Sequence, residues 1–258
     1  MGMLHKVEGI VIRTNDYGET HKIVTIFTRE YGKVALMARG AKRPKSRLAS
    51  ASQLFIQGVF VFQRHKGMGS LNSADIIDSF RMIRSDILLT SYGACMIELI
   101  DRLLEDGQSD PELYEILYQL LFRLNDGEDA DVLLSIMEIK MMTRAGAAPV
   151  LHQCASCGSA ELPFQFSLRY GGALCRRCLH FDPYVMKADP KVMKLLRMFQ
   201  SINPVRIGKL NVKEETKAQL NQLIDLYYQE FIGLKLRSKR FLEQMHSFTD
   251  EVNKKNND

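Results

Sequence analysis

The spacing of hydrophobic residues changes character near residue 85. Before this point short apolar segments alternate with turn residues, and beyond it apolar residues recur every three or four positions. The first pattern predicts β-strands and the second predicts amphipathic helices. We therefore predict an α+β chain in which a β domain, residues 1–82, precedes an all-helical domain, residues 83–248.

Five segments of the predicted β domain are rich in β-branched and aromatic residues: 7–13, 21–28, 33–38, 54–63 and 70–80. They are separated by turn sequences at Asn15-Asp16-Tyr17-Gly18, Tyr31-Gly32 and Lys66-Gly67-Met68-Gly69. Such short connections leave no room for crossover helices, so the strands should pair antiparallel. Closure into a barrel would remove the exposed sheet edges. An OB-fold fits this strand count, although an SH3-like barrel has the same number of strands.

Helical periodicity governs most of the remaining chain. The predicted helices cover residues 86–105, 110–124, 131–144 and 212–232, and a further helix begins at residue 189. Asp110 and Asp189 are good N-caps, and each precedes a proline at the first helical position. The apolar stripes, including Cys95, are expected to form a packed core. Residues 249–258 are polar, and we expect them to form a disordered tail.

Four of the five cysteines form two CxxC pairs, Cys154 with Cys157 and Cys175 with Cys178, separated by 17 residues. This is the spacing of a four-thiolate zinc site, with residues 164–172 as the intervening hairpin. We predict a zinc ribbon at about 150–182, inserted in the helical domain, that holds one Zn²⁺. Disulfides, a redox role, and ligation by His152 or His180 are less favoured. Four thiolates leave no position for a reactive water, so the metal should be structural.

The net charge of +5 is unevenly distributed. Residues 1–70 contain 12 Lys and Arg against four Asp and Glu, whereas residues 81–150 contain six against 13. The densest cationic cluster lies between the third and fourth predicted strands: Arg39, Lys42, Arg43, Lys45 and Arg47. Gly40 and Pro44 should keep this loop non-helical, and its cations could follow a phosphate backbone. We predict that these five residues bind DNA, with a merely solvated loop as the alternative.

Two further groups of residues leave alternatives open. The aromatic residues interleaved with the basic region could stack on bases, but most are expected in the barrel core: Phe27, Tyr31, Phe55, Phe60 and Phe62. A basic segment at residues 235–242 could contact phosphate or an acidic partner, or could complement the dipole of a helix C-terminus.

Signatures of catalysis are absent from the sequence. It contains no phosphate-binding loop of the ATPase type, no G-x-S-x-G and no H-E-x-x-H. We therefore expect a protein that is not an enzyme. The chain also contains no apolar stretch of the roughly 20 residues that cross a bilayer and no signal peptide, so we expect a cytoplasmic, nucleoid-associated location.

Several short motifs follow one another in a characteristic order. They are Glu8-Gly-Ile-Val-Ile12, Asp16-Tyr-Gly-Glu-Thr20, Phe27-Thr28 before Gly32-Lys33, Arg39-Gly40-Ala41 before Ser46-Arg47, Glu98-Leu99, Gly171-Gly172-Ala-Leu-Cys175, and Leu236-Arg-Ser238-Lys-Arg240-Phe-Leu242. With the basic barrel, helical body and ribbon in this order, the chain resembles the bacterial RecO family of DNA repair proteins over about residues 4–245.

The resemblance implies an OB-fold followed by a helical domain, with zinc in members that keep all four cysteines. It also implies binding of single- and double-stranded DNA and annealing of complementary strands without ATP. The implied partners are RecR and the single-strand DNA-binding protein, whose acidic C-terminal tail is engaged while RecA is loaded onto coated strands. An RNA-binding or transcription factor and a zinc hydrolase are the alternatives, and the closed ligand set argues against the hydrolase.

Overall fold

The computed structural model describes residues 3–64, 68–203 and 208–255, with side chains described up to residue 247. The first five strands form a closed barrel in the order β1-β2-β3-β5-β4. Their bounds are β1 Met3–Tyr17, β2 His21–Thr28, β3 Gly32–Ala38, β4 Gln57–Arg64 and β5 Gly69–Asp78. The turn predicted at Lys66-Gly67 lies outside the described residues.

Strand β1 closes the barrel because it pairs with two neighbours. Its first half pairs antiparallel with β4, its second half pairs with β2, and a bulge between Val11 and Arg13 separates the two registers. Strands β3 and β5 meet in a short parallel pairing, so the prediction of antiparallel pairing is wrong for this pair, because barrel closure brings together strands that are not consecutive. A short helix α1, Arg47–Ala51, connects β3 to β4. This topology is that of the OB-fold and decides against the SH3-like alternative.

The barrel is filled by side chains that alternate along its strands. The buried cluster consists of Val7, Val11, Val24, Ile26, Val34, Leu36, Ala38, Ala41, Ile56, Phe60, Phe62 and Leu71. Inside-outside alternation of a strand places one face in this core, as the sequence pattern predicted. Gly9 is required in β1, because a Cβ there would lie 2.4 Å from the Ile26 side chain.

Three helices follow the barrel: α2 Arg81–Ser85, α3 Ile87–Leu103 and α4 Pro111–Asn125. Helix α2 was not predicted. The N-caps Asp86 and Asp110 each accept a hydrogen bond from the backbone N–H three residues later. Because barrel and helices pack together, the first compact unit extends over Met1–Asp126. It therefore continues well past the predicted domain boundary at residue 82.

The reason for this extension lies in contacts between strands and helices. The Tyr114 hydroxyl on α4 donates to Glu8 Oε1 at 3.2 Å, and the Tyr114 ring packs against Phe27. Gly32 allows the backbone to approach the loop before α4, since a Cβ there would lie 1.9 Å from the Gln108 carbonyl oxygen. A boundary drawn from periodicity marks the end of the strands, whereas packing joins the strands to α3 and α4.

The second unit, Gly127–Asp258, is mainly helical. Its helices are α5 Ala130–Arg144, α6 Pro190–Ser201, α7 Glu214–Tyr227, which continues as a π-helical turn Tyr228–Ile232, and α8 Arg237–Lys255. Residues 132–142 of α5 are all buried, so α5 is the central helix of this unit. Between α5 and α6 lies a two-stranded hairpin, β6 Phe164–Ser167 and β7 Gly172–Cys175, followed by a 3-10 helix Arg176–Phe181.

The C-terminal segment differs from the prediction of a disordered tail over residues 249–258. Helix α8 continues to Lys255, and residues 256–258 lie outside the described part of the chain. Neither proline nor glycine interrupts the sequence from residue 237 to residue 255, so no residue type stops the helix. Within the described ranges, no helix combines the length and apolar character needed to cross a membrane.

Candidate nucleic-acid interface and metal centre

The charged loop connects β3 to α1 and lies at the protein surface. All five predicted DNA contacts have exposed side chains: Arg39, Lys42, Arg43, Lys45 and Arg47. The loop is shorter than predicted, because Arg47 is the first residue of α1 and Ser46 caps that helix through the Leu48 N–H. The structure thus presents these cations to solvent on one short connection.

Hydrogen bonds hold the charged loop against the turn between β1 and β2. The Gly40 N–H donates to His21 Nδ1 at 2.9 Å, and the Lys42 N–H donates to the Thr20 carbonyl oxygen at 3.0 Å. The Lys42 ammonium also contacts Asp16 Oδ2 at 2.7 Å. This hydrogen bond lowers the pKa of Asp16 below its usual value. Two connections that are separate in sequence therefore form one surface.

Other cations of the barrel are used differently. Arg13, Arg29 and Lys33 form salt bridges with carboxylates of α3, α4 or the loop between these helices. The pairs are Arg13–Asp101 at 3.0 Å, Arg29–Glu115 at 2.9 Å and Lys33–Asp106 at 3.2 Å. These cations bind the helices to the barrel and are already neutralised.

In the charged loop, by contrast, most cations have no carboxylate partner in the part of the chain that the structure describes. Among the residues that the structure describes, Arg39, Arg43, Lys45 and Arg47 form no salt bridge. Only Lys42 has a carboxylate partner there, and that pair is partly exposed. Unpaired cations on a surface loop of an OB-fold are suited to bind phosphate groups.

The aromatic residues near the loop are mostly structural. Phe27, Phe55, Phe60 and Phe62 are buried, which confirms the expectation of a core role for most of this group. Tyr31 is 36% exposed. A better-placed ring is Tyr17, which is 53% exposed at the turn that the charged loop contacts. The sequence analysis used Tyr17 as a turn residue and as part of a family motif, and not as a candidate for stacking.

The four cysteines of the two CxxC pairs come together in the second unit. Their sulfur atoms all lie within 4.8 Å of one another, and the Sγ atoms of Cys157 and Cys175 are 3.7 Å apart. A regular tetrahedron of thiolates around zinc at about 2.3 Å has edges of about 3.8 Å. The arrangement is therefore compatible with a metal ion such as zinc.

Local backbone contacts place these cysteines. The Gly158 N–H donates to the Cys154 carbonyl oxygen at 2.9 Å, and the positive φ of Gly158 turns the chain after Cys157. The second pair lies where β7 ends in Cys175 and the 3-10 helix carries Cys178. Gly172 lets the strand approach residue 150, because a Cβ there would lie 2.2 Å from the Val150 carbonyl oxygen.

The electrostatics of the cluster also suit a cation. Burial raises the pKa of the Cys178 thiol to about 12. At Cys154 burial acts in the same direction, but hydrogen bonds from neighbouring groups outweigh it and lower the pKa to about 6. Thiols this close together cannot all ionise unless a cation compensates their charge. Four sulfur donors match the preference of Zn²⁺ for thiolates.

The other candidate ligands lie outside this cluster. The metal-binding group in the described residues contains only the four cysteines, without His152 or His180. The His180 ring instead packs on Phe181, with centroids 4.0 Å apart. Cys95 is buried in α3, where it was expected to fill space.

A cavity of about 400 Å³ lies beside the basic segment that follows α7. It is lined by Glu138, Asp225, Tyr228, Gln229, Leu234, Lys235, Leu236, Arg237, Lys239, Arg240 and Glu243. The Lys239 ammonium contacts Glu138 Oε1 at 2.6 Å and also pairs with Asp225. Lys235 and Arg240 are exposed at the rim. The basic segment therefore contains one lysine, Lys239, that is paired with two carboxylates, and other cations that are exposed.

The ion pairs of Lys239 with Glu138 and Asp225 lie in a largely buried environment. Burial raises the pKa of Glu138, although Lys239 opposes this change. Burial disfavours the charged form of Lys239, but Glu138 and Asp225 outweigh it and raise the pKa of its ammonium. Sequence reasoning missed this pair. Its signal was Glu138, an acidic residue among the apolar positions of α5.

Comparison with known families and proteins gives a consistent result. Residues 1–80 match the family described as Recombination protein O N terminal, and residues 84–240 match Recombination protein O C terminal. Together these matches cover most of the chain.

Curated relatives match over nearly their whole length. The chain is 51% identical over 245 residues to the DNA repair protein RecO of Halalkalibacterium halodurans, covering 95% of this chain and 96% of that protein. It is 49% identical to the RecO of Bacillus subtilis, with the same coverage. It is 48% identical over 246 residues to the RecO of Bacillus cytotoxicus, covering 95% and 99%.

Proposed function

Because the chain belongs to the RecO family of DNA repair proteins, we propose that it is a recombination mediator that binds single- and double-stranded DNA. The proposal extends to annealing of complementary strands without ATP and, together with RecR, to loading of RecA onto strands coated with single-strand DNA-binding protein. It includes a cytoplasmic location and no catalysed reaction.

The observation that carries this proposal is the contrast between paired and unpaired cations on the barrel. Arg39, Arg43, Lys45 and Arg47 have no carboxylate partner in the described part of the chain, whereas Arg13, Arg29 and Lys33 do. Free cations release the counterions condensed on DNA when they bind phosphates. A surface that neutralises two strands also lowers the repulsion that keeps them apart, so no ATP is needed.

The cysteine cluster holds one structural Zn²⁺ in this proposal, bound by Cys154, Cys157, Cys175 and Cys178. Zinc supplies a cross-link between the turn before β6 and the end of β7. The cysteines bring these segments together, and Gly158 and Gly172 let the backbone follow. With four protein ligands the site takes no part in a reaction.

The cavity beside α8 is our candidate for the acidic tail of single-strand DNA-binding protein. Leu234 and Leu236 provide apolar contacts, and Lys235 and Arg240 provide exposed positive charge at the rim. Charge reversal at Lys235 and Arg240 should weaken binding of a fluorescent acidic tail peptide and leave DNA binding unchanged. Unaltered peptide binding would contradict this placement.

The test of the main function is annealing of complementary oligonucleotides without ATP at about 50 mM and about 200 mM salt. Combined Arg43→Glu and Lys45→Glu should slow annealing about tenfold and reduce its salt dependence. The matched control reverses two exposed cations of α6, Lys191→Glu with Lys194→Glu. Equal effects of both double variants, or a preference for structured RNA in competition, would count against the proposal.

A further inference from the structure

The segment around the cysteine cluster exposes two aromatic rings. Tyr184 is 88% exposed and Phe181 is 48% exposed. Rings of this size usually bury most of their surface, and these two contribute little to the core of the unit. Both rings are therefore accessible to a ligand at the surface.

A buried carboxylate fixes the segment that bears these rings. Asp182 is 2% exposed, and it accepts hydrogen bonds from Ser167 Oγ at 2.5 Å and from the Tyr184 N–H at 2.9 Å. Ser167 Oγ also accepts from the Tyr170 N–H at 3.1 Å. The turn of the hairpin and the segment 181–184 are thus held together by one hydrogen-bonded centre.

Three exposed arginines, Arg169, Arg176 and Arg177, belong to the ribbon that bears these rings. Arg169 Nη1 donates to the Phe181 carbonyl oxygen at 3.3 Å. Arg176 and Arg177 are exposed on the 3-10 helix that ends at Phe181. Arg177 pairs with Glu161 at 3.3 Å, but both side chains are more than 70% exposed, so this pair is weak and easily exchanged. For Arg176 no carboxylate partner occurs among the described residues.

We propose that this ribbon face, formed by Arg169, Arg176, Arg177, Phe181 and Tyr184, is a second binding surface for single-stranded DNA. The rings would stack on unpaired bases, and the arginines would neutralise the flanking phosphates. A duplex hides its base faces, so the ribbon face favours single strands. This inference rests on the proposed function and adds to it a second surface that binds single strands, besides the charged loop.

A single fluorescent reporter can test the stacking directly. The chain contains no tryptophan, so Tyr184→Trp places the only one on the ribbon face. In the full-length, zinc-loaded protein, an oligo-dT strand should quench this tryptophan, and a blunt duplex at equal phosphate concentration should quench it far less. Unquenched fluorescence while the strand is bound, as reported by anisotropy of a labelled strand, would overturn the proposal.

Removal of the arginines tests the electrostatic part. Arg176→Ala with Arg177→Ala should weaken binding of single strands about tenfold and lower the salt slope by about 1.4, at about 0.7 per phosphate contact. Phe181→Ala with Tyr184→Ala should weaken binding about tenfold with an unchanged slope. The matched control is Lys191→Ala with Lys194→Ala, and zinc content and circular dichroism report whether each variant is folded.

The outcomes separate this inference from the proposed function. If the charged-loop variant loses DNA binding and the ribbon-face variants behave like the control, the ribbon face is wrong and the proposed function stands. If the unaltered protein binds no single strands, both fail. If an acidic peptide quenches Tyr184→Trp and oligo-dT does not, the face binds a protein partner, and the proposal is overturned.

Discussion

The barrel and the ribbon are both small β structures, but they are stabilised in different ways. The barrel closes five strands around a cluster of twelve buried residues. The ribbon has two strands of four residues each and four clustered cysteines. The barrel has its own apolar core, whereas the ribbon buries few side chains of its own, and Phe166 packs against Tyr227 of α7. If the cysteine cluster binds a metal ion as proposed, that ion cross-links the ribbon, whereas the barrel has an apolar core instead.

The largest expected effect comes from removal of one sulfur ligand. Cys175→Ser should abolish stoichiometric zinc binding, which in small zinc-binding units contributes roughly 10 kcal/mol of apparent free energy. Residues 150–182 should then lose protection in hydrogen exchange, while β1–β5 keep theirs. Cys95→Ala is the control, because Cys95 lies outside the cluster. Equal loss of protection in both regions would break the comparison.

The converse experiment removes apolar volume from the barrel. Phe60 is fully buried in the barrel cluster, so Phe60→Ala should lower the free energy of unfolding by about 3–5 kcal/mol. Urea unfolding followed by circular dichroism measures this loss, and zinc content should stay at one per chain. An unchanged unfolding midpoint would show that the barrel does not depend on its core.

A smaller effect on stability is expected for the barrel cations that pair with the helices, and these differ from the unpaired cations of the charged loop. The Lys33 ammonium is buried and donates to the Asp101 carbonyl oxygen at 2.8 Å. Lys33→Met should therefore destabilise the protein by about 1–3 kcal/mol, because it leaves this acceptor without its partner. Affinity for DNA should change less than twofold, unlike the effect of Arg43→Glu with Lys45→Glu. Weaker DNA binding without any loss of stability would contradict this division.

The smallest effect concerns an ion pair in the second unit. Burial disfavours the charged form of Lys217, but its hydrogen bonds to Glu214 and Asp129 outweigh burial and raise the pKa to about 12. The folded-state pKa lies above the usual 10.5, so this stabilisation is complete below pH 10.5 and is lost as pH rises toward 12. Between pH 10.5 and 12, the free energy of unfolding of Lys217→Met should therefore depend less on pH than that of the unaltered protein. An identical pH profile would exclude a role for Lys217.

The barrel could be predicted from the sequence because its signals are local. Phe60 and Phe62 share the alternation parity of Ile56, which marks the inner face of β4, and the turns mark the strand ends. The two CxxC pairs likewise predict a cluster, since each pair already places two sulfurs close together. Element ends were less predictable: Arg47 begins a helix within the predicted loop, and residues 249–255 continue α8.

Which basic residues form salt bridges and which stay exposed could not be predicted from local sequence. Lys33 and Lys45 are both basic residues of the barrel, yet Lys33 is buried against Asp101 and Lys45 is exposed. Salt bridges such as this one join residues 68 positions apart, and periodicity carries no information on such distant partners. The same holds for Lys239 with Glu138, which are 101 positions apart.

By itself the sequence determined the five strands, the helices α3 to α7, the cysteine cluster and the family, because these follow from local spacing and from motifs in a fixed order. Only the tertiary structure decided that the first compact unit extends to Asp126 and which cations remain unpaired. It also decided that Asp182 is buried and bonded to Ser167 and Tyr184, while the rings of Phe181 and Tyr184 are exposed. The physical reason is that packing and ion pairing join residues far apart in the chain, and their free energies depend on burial.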